Sequence, residues 1–508
     1  MKRGRPAARV AAGILLTRIL GLVRERVFAH YFGSGYEADA FRAALKIPNV
    51  VRNLLGEGTL SASFIPVYAG LIERKEEDAA RRVAGALATL IVLAGAVAAL
   101  LGSALASIIT DIAAPGFSGQ TRDLTVSLVR ILFPMSSVMI ASAWCLGVLN
   151  THRRFFLSYA APTLWNIAQI ATLVIFGSMM AGADLAVALA WGALAGSGLQ
   201  LIVQLPSAFK LAGRLSPQLG LEDQNVRRVI WAWVPVVLGA GVMQISSIID
   251  TMLGSLLAPG AVALLGYAQL VAILPVSLFG ISVAAAALPE MSRAAATEQA
   301  TELRRRLATG GRRVAFFIIP SAATFFLFGE HIIGPLFETG EFGPAETAAV
   351  AGILAFYGLA IPAQSAVRLL ASGHYALGDT RTPVRIAILS VTISAASAYG
   401  FMQVLGVAGI ALGAALGASV NSTLNYITLA RRTGTLFGPE ERKGLAVSLL
   451  GAAAAAGAGW GVQSATAEWA LWPQAMSVLL TLGVVYLSVT TALRHPDALT
   501  LRLGRRGS

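Results

Sequence analysis

One cysteine, Cys145, stands among 508 residues, inside an apolar run, so an intrachain disulfide is excluded. Histidine is nearly as scarce. His30, His152, His331, His374 and His495 all fall at or near predicted helix ends, a scatter that argues against a metal cluster. Charge is short as well: 13% of residues are Asp, Glu, Lys or Arg, against about 25% in an ordinary soluble chain. No Walker loop, zinc-ligand spacing, catalytic-triad pattern or dinucleotide glycine fingerprint occurs. An intramembrane enzyme would need facing acids, or a histidine with a nucleophile. Glu25 with Asp39 is the one candidate pair, so the chain is not expected to be an enzyme. Long soluble domains, low-complexity tracts and coiled-coil runs are missing too.

Apolar length is what the chain has. Hydrophobic residues make up 56% and the mean hydropathy is +0.70. A bilayer-spanning helix needs about 20 mostly apolar residues. Some fourteen such segments can be laid out between residues 8 and 493, which predicts an all-α polytopic membrane protein. The basic N-terminus followed by an apolar run lacks a small-residue cleavage site, so it reads as a retained first membrane helix. The second segment, 38–72, is expected to break at Pro48 and at Gly56 and Gly58. The net charge of +13 comes from 39 basic and 26 acidic residues. Most of the basic residues lie in loops and helix ends on one side of the predicted membrane, with Arg122 alone on the other. That asymmetry places both termini in the cytoplasm and makes nucleic acid an unneeded partner.

Against this apolar background, the stretch from Arg18 to Phe64 is out of place. It carries Arg18, Arg24, Arg26, Arg42, Lys46 and Arg52 within two predicted helices, against Glu25, Asp39 and Glu57. Each charge at membrane depth costs at least ~2.5 kcal/mol on insertion scales, so such residues face a wet cavity or a partner. Some of the cations must pair with the three acids, but the bases outnumber them. Arginine forks suit phosphate. Part of the set Arg24, Arg26, Arg42 and Arg52 is therefore expected to line a polar cavity that receives an anionic substrate. Deeper in the chain, Asp250 in the seventh segment reads equally as a ligand for a coupling cation or as a helix-packing partner.

Segments four and five resemble segments ten and eleven: an early proline, a small-residue helix end, a basic loop with aromatics, then a proline opening the next helix. The repeat predicts two parallel six-helix lobes at 1–214 and 215–432, followed by two additional helices and a tail at 433–508.

Several motifs run in order along the chain: TRILGLVR (17–24), ADAF (38–41), KIPNVVRNLLGEG (46–58), APTLWN (161–166), the LQ…QLP run (199–206), the Q…ID run (244–250) and GDTRTPV (378–384). On these the chain resembles the MurJ/MviN family of lipid II flippases, in the multidrug/oligosaccharidyl-lipid/polysaccharide exporter superfamily. The resemblance implies two lobes around a central cationic cavity, with a groove for a polyprenyl tail at the last two helices. It implies translocation of lipid-linked peptidoglycan precursor across the inner membrane by alternating access. Arg18, Arg24, Asp39 and Arg52 match positions that the family needs, and Lys46, Glu57 and Arg368 match further charged positions. The expected partners are lipid II, membrane lipids and cell-wall synthesis proteins. No cofactor is expected; Na+, protons or the membrane potential would drive the cycle. The rivals are a flippase for another polyprenyl-diphosphate glycan of the O-antigen type and a cation-coupled drug antiporter. One departure stands out. Where the family carries an arginine in segment eight, this chain reads YAQLV, with Gln269 and Leu270.

Overall fold

The computed structural model describes residues 4–213, 215–297 and 300–503; the side chains of 4–12, 14, 57, 238–239, 242–243, 300 and 501–503 lie outside that description. Every expected segment falls on helix, and among the described residues the one β-type pairing is an isolated bridge between Thr339 and Phe342. The chain folds into two compact units, Met1–Ala263 with Thr339–Phe342, and Leu264–Glu338 with Gly343–Ser508.

The first unit holds α1 (Gly4–Phe32), α2 (Tyr36–Leu55), α3 (Glu57–Glu73), α4 (Glu77–Ala104), α5 (Ala106–Ala113), α6 (Gly119–Thr151), α7 (Phe155–Ala160), α8 (Pro162–Phe176), α9 (Gly182–Ala212) and α10 (Gln224–Ser255). Its core gathers Phe64 and Tyr68 of α3, Val83 and Leu87 of α4, Trp144 and Val148 of α6, and Val226 and Val229 of α10. A polar clamp ties α6 to α9: Gln200 donates to the Ser142 hydroxyl (2.9 Å), which donates to Gln204 (2.6 Å). Gln200 and Gln204 are one turn apart and so share a helix face.

The second unit holds α11 (Ala261–Pro275, whose first residues belong to the first unit), a π-helical turn (Val276–Ile281), α12 (Ser282–Ala296), α13 (Ala300–Leu327) and α14 (Glu330–Phe337). It continues with α15 (Pro344–Ala376), α16 (Arg381–Leu405), α17 (Val407–Thr433), α18 (Pro439–Ala465), α19 (Leu471–Ala492) and α20 (Pro496–Leu503). One of its cores joins α12, α13, α15 and α17 through Met291, Leu307, Leu369 and Leu429. Another seats α18 and α19 on α13 through Phe316, Ala452, Val478 and Tyr486, whose hydroxyl donates to the Phe316 carbonyl (2.5 Å).

Among the described residues, ten helices are long and apolar enough to cross a membrane, or eleven if the 79° bent pair of α13 and α14 counts as one span. The expected count of fourteen is not reached by that criterion. The physical reason is clearest at α2, which carries Glu37, Asp39, Arg42, Lys46 and Arg52 in 20 residues.

Two breaks differ from expectation. Pro48 sits buried inside an uninterrupted α2, so the break expected there is absent, while the one expected at Gly56 is present. A proline removes a single donor, which α2 tolerates. At Gly56 the backbone folds so tightly that a Cβ would lie 2.4 Å from the Arg52 carbonyl oxygen, which only glycine permits. The Thr59 hydroxyl then donates to the Leu54 carbonyl (2.7 Å) that the break leaves without its helical partner. The third segment, expected to be continuous, divides at Leu105 into α4 and α5, with no proline or glycine at that residue to signal it.

Candidate anion-binding site

Glu25 is the centre of the charged cluster on α1 and α2. The buried carboxylate accepts from Arg24 Nη2 at 2.5 Å on one oxygen and from Arg42 Nη2 at 2.8 Å on the other. Each guanidinium also lies over an aromatic ring: Arg24 is 4.7 Å from the Trp165 ring centre, and Arg42 is 5.1 Å from that of Phe28. Cation–π contact of this kind favours a poorly hydrated cation. Two cations share this one carboxylate, and Arg42 is also attracted by Asp39. Arg24, Glu25, Arg42 and Gln169, with Phe28 and Phe41, line a cavity of about 30 Å³.

Asp39 has a different engagement. Although it follows one turn before Arg42, its carboxylate accepts from the backbone N–H of Gly260 (2.6 Å) and of Ala263 (2.7 Å). It is almost fully buried. These donors are the first amides of α11, which have no partner within their own helix. Asp39 thus caps α11 from α2, and the helix dipole adds to the attraction. The structure therefore does not bring Glu25 and Asp39 together as an acid pair; each has its own donors.

The other cations spread along the same two helices. Arg52 Nη1 lies 3.1 Å from the Met139 sulfur, a weak acceptor. Arg18 is exposed on α1, whereas Arg26 is half-buried. Lys46 on α2 lies near enough to Asp250 on α10 for the two charges to attract. Asp250, the candidate cation ligand, thus has a lysine as its neighbour. Among the described residues no group of three or more His, Cys, Asp and Glu is placed to hold a metal ion. Glu57 begins α3, and its side chain lies outside the described residues.

Arg368 belongs to the second unit. It is half-buried on α15, and its carbonyl accepts from the Ser372 hydroxyl (2.9 Å). At the departure in segment eight, Gln269 donates to the Tyr357 hydroxyl (2.9 Å), joining α11 to α15, and Leu270 is half-buried.

Sequence reasoning named the cations and missed what surrounds them. Trp165 and Gln169 stand beside Arg24 and Arg42, and Asn53 of α2 donates to Gln244 of α10 (3.4 Å). Trp165 falls within APTLWN and Gln244 opens the Q…ID run, so both motifs pointed to these helices without revealing which side chains meet.

A family model described as lipid II flippase MurJ matches residues 28–480. Lipid II flippase MurJ of Burkholderia cenocepacia is 35% identical over 430 residues, which is 83% of this chain and 83% of that one. A probable lipid II flippase MurJ of Rhizobium meliloti is 33% identical over 435 residues, covering 84% of this chain and 80% of the relative. A solved structure of lipid II flippase MurJ in an inward closed conformation is similar with a TM-score of 0.79 at 22% identity, over 95% of this chain and 98% of that one. An inward-facing MATE family multidrug resistance transporter of the MOP superfamily follows with a TM-score of 0.70 at 15% identity, over 85% and 98%. At such identities the two solved structures establish the fold alone. Together with the apolar helices, these matches make the chain a multi-pass membrane protein. It belongs to the lipid II flippase MurJ family.

Proposed function

We propose that this protein is a flippase that carries lipid II across the inner membrane by alternating access, for cell-wall synthesis, with both termini in the cytoplasm. One observation carries the reading: from Arg18 to Arg52, α1 and α2 hold six Arg and Lys, while Glu25 is shared by Arg24 and Arg42 and Asp39, in the first turn of α2, accepts from backbone amides. That surplus suits a diphosphate. Arg24 and Arg52 bind it, with Arg18, Arg26, Arg42, Lys46 and Arg368 adding positive potential. No covalent step is involved, so the protein is a transporter without enzymatic activity. Na+ or proton flux, or the membrane potential, drives the cycle, and cell-wall synthesis proteins use the delivered precursor.

A drug antiporter shares the fold, but cationic drugs call for acidic groups in the site, and the acids here are occupied. The deciding experiment is complementation of cells depleted of their own lipid II flippase. Growth with normal cell shape is expected. Failure of a well-expressed, membrane-inserted protein to support growth would reject the reading in favour of another polyprenyl-diphosphate glycan. Orientation is checked with single cysteines in a Cys145→Ser background. Those at Ser34 and Gly182 react with an impermeant thiol reagent from outside, and those at Ala79 and Ser216 do not.

A further inference from the structure

The seam between α2 and α10, both within the first unit, carries a pair of uncharged amides that the cation cluster does not use. Two points set its register. Lys46 attracts Asp250, and Asn53 Nδ2 donates to Gln244 Oε1 at 3.4 Å. Residue numbers rise along α2 as they fall along α10, so the helices run antiparallel. Seven residues separate Lys46 from Asn53 and six separate Asp250 from Gln244. Each interval is about two helical turns. The seam thus has a charged end and a neutral polar end on matching faces.

The neutral end has three features of a recognition element. Asn53 is exposed on a helix otherwise mostly buried or half-buried. Its bond to Gln244 is at the long limit for N–H···O, so it adds little to stability and is readily exchanged. Among the described residues, neither amide has a second hydrogen-bonding partner. Each primary amide carries two donors and a carbonyl acceptor. The Asn53 oxygen and the Gln244 nitrogen therefore stay available while the pair is intact. Arg52 precedes Asn53 directly, which puts a cation one residue from the amide pair.

Cations select phosphate by charge and are indifferent to what the phosphate carries. Amides, which donate and accept at once, match sugar hydroxyls and the amides of N-acetyl and peptide groups. We infer that Asn53 and Gln244 are specificity-determining residues that read the uncharged glycan-peptide part of the substrate while Arg52 holds its diphosphate. The inference rests on the proposed function and adds to it the residues that distinguish a sugar-bearing diphosphate from a bare one. A site built on hydrogen bonds discriminates strongly, because a ligand lacking the matching groups leaves polar atoms unpaired.

The test measures binding of the purified protein to two probes, lipid II and the same polyprenyl diphosphate without sugar. The parent is compared with Asn53→Ala, Gln244→Ala, the double variant, Asn53→Gln and Arg52→Ala. The double variant is expected to lose about tenfold in affinity for lipid II, the equivalent of one to two good hydrogen bonds, with its affinity for the bare diphosphate unchanged. Asn53→Gln, which keeps an amide, retains most of the preference, and Arg52→Ala weakens both probes. A merely structural pair would move both probes together or neither, and either result overturns the inference while leaving the flippase reading intact. If the parent binds the bare diphosphate but not lipid II, the flippase reading itself falls and the inference goes with it. Thermal midpoints of all variants confirm that folded proteins are compared.

Discussion

Asp379 and Asp39 both close helix N-termini, and their surroundings differ. At the α15–α16 corner of the second unit, Asp379 accepts from the backbone N–H of Arg381 (3.1 Å) and Thr382 (3.0 Å), and forms an ion pair with Arg432 Nη1 (2.7 Å). Its carboxylate both caps a helix and neutralises a cation. On α2 of the first unit, Asp39 gives both oxygens to backbone amides at the start of α11. The same residue type in the same local role lies against a cation at 2.7 Å in one place and attracts Arg42 in the other. The pattern extends beyond this pair. In the second unit Asp497 serves Arg312 and Arg313, in the middle of α13, and Glu302 serves Arg305 and Arg306 near its start. In the first unit Arg24 and Arg42 share Glu25, and Lys46 is attracted by Asp250.

The largest effect is expected from removing cations of α1 and α2. Arg24→Ala and Arg52→Ala are each expected to abolish complementation while the protein still accumulates in the membrane. Loss of a cation that forks a diphosphate costs ~2–5 kcal/mol of binding. Lysine at either position restores little, since it cannot fork. Normal growth with both alanine variants would mean that the surplus on α1 and α2 has another purpose.

A second, smaller effect separates Asp39 from the cations. Asp39→Ala removes two charge-assisted hydrogen bonds and strands the buried amides of Gly260 and Ala263. A loss of ~2–4 kcal/mol in stability follows, read as a fall in thermal midpoint of the detergent-solubilised protein. Asp39→Asn, which can still accept through one oxygen, should fall between. If Asp39 served as counter-charge to Arg42, Arg42→Ala would relieve the defect of Asp39→Ala. We expect no relief.

How much of this was legible beforehand depends on how far apart the partners lie in the chain. The helical segments could be read because hydropathy is a local property. The commitment of Arg24 to Glu25 was half visible, since the two are adjacent and a buried charge must be paired. The capping of α11 by Asp39 was not, because its donors lie 221 and 224 residues away and nothing local marks them. Arg52 reaching Met139, 87 residues on, is the same case. Pro48 misled because proline signals a break only where the helix cannot spare one donor. Gly56 was legible as a break, although the reason, its close approach to the Arg52 carbonyl, was not.

The smallest expected effect sharpens the comparison from the side of the second unit. The Asp379 carboxyl lies in the loop between α15 and α16, and its pKa is lowered to about 2, first by the Thr382 backbone and hydroxyl and only then by Arg432. That order predicts the order of the mutational costs. Asp379→Ala removes the cap and should cost ~0.5–2 kcal/mol. Arg432→Ala removes only a half-exposed partner, and such pairs are worth ~0.2–1 kcal/mol. The pH dependence has a definite sign. A carboxyl whose pKa is lowered on folding stabilises the protein above its unfolded value, and that contribution fades as pH falls through the folded one. Asp379 should therefore contribute fully above the usual value of 3.8 and lose its contribution as the pH falls towards 2. The Arg432→Ala variant should keep most of this dependence, and Asp379→Asn should lose it. A double-mutant cycle isolates the coupling between the two residues. A coupling well above ~1 kcal/mol, larger than exposed pairs supply, would make the salt bridge and not the helix cap the main role of Asp379. The parallel with Asp39 as a helix cap would then fail.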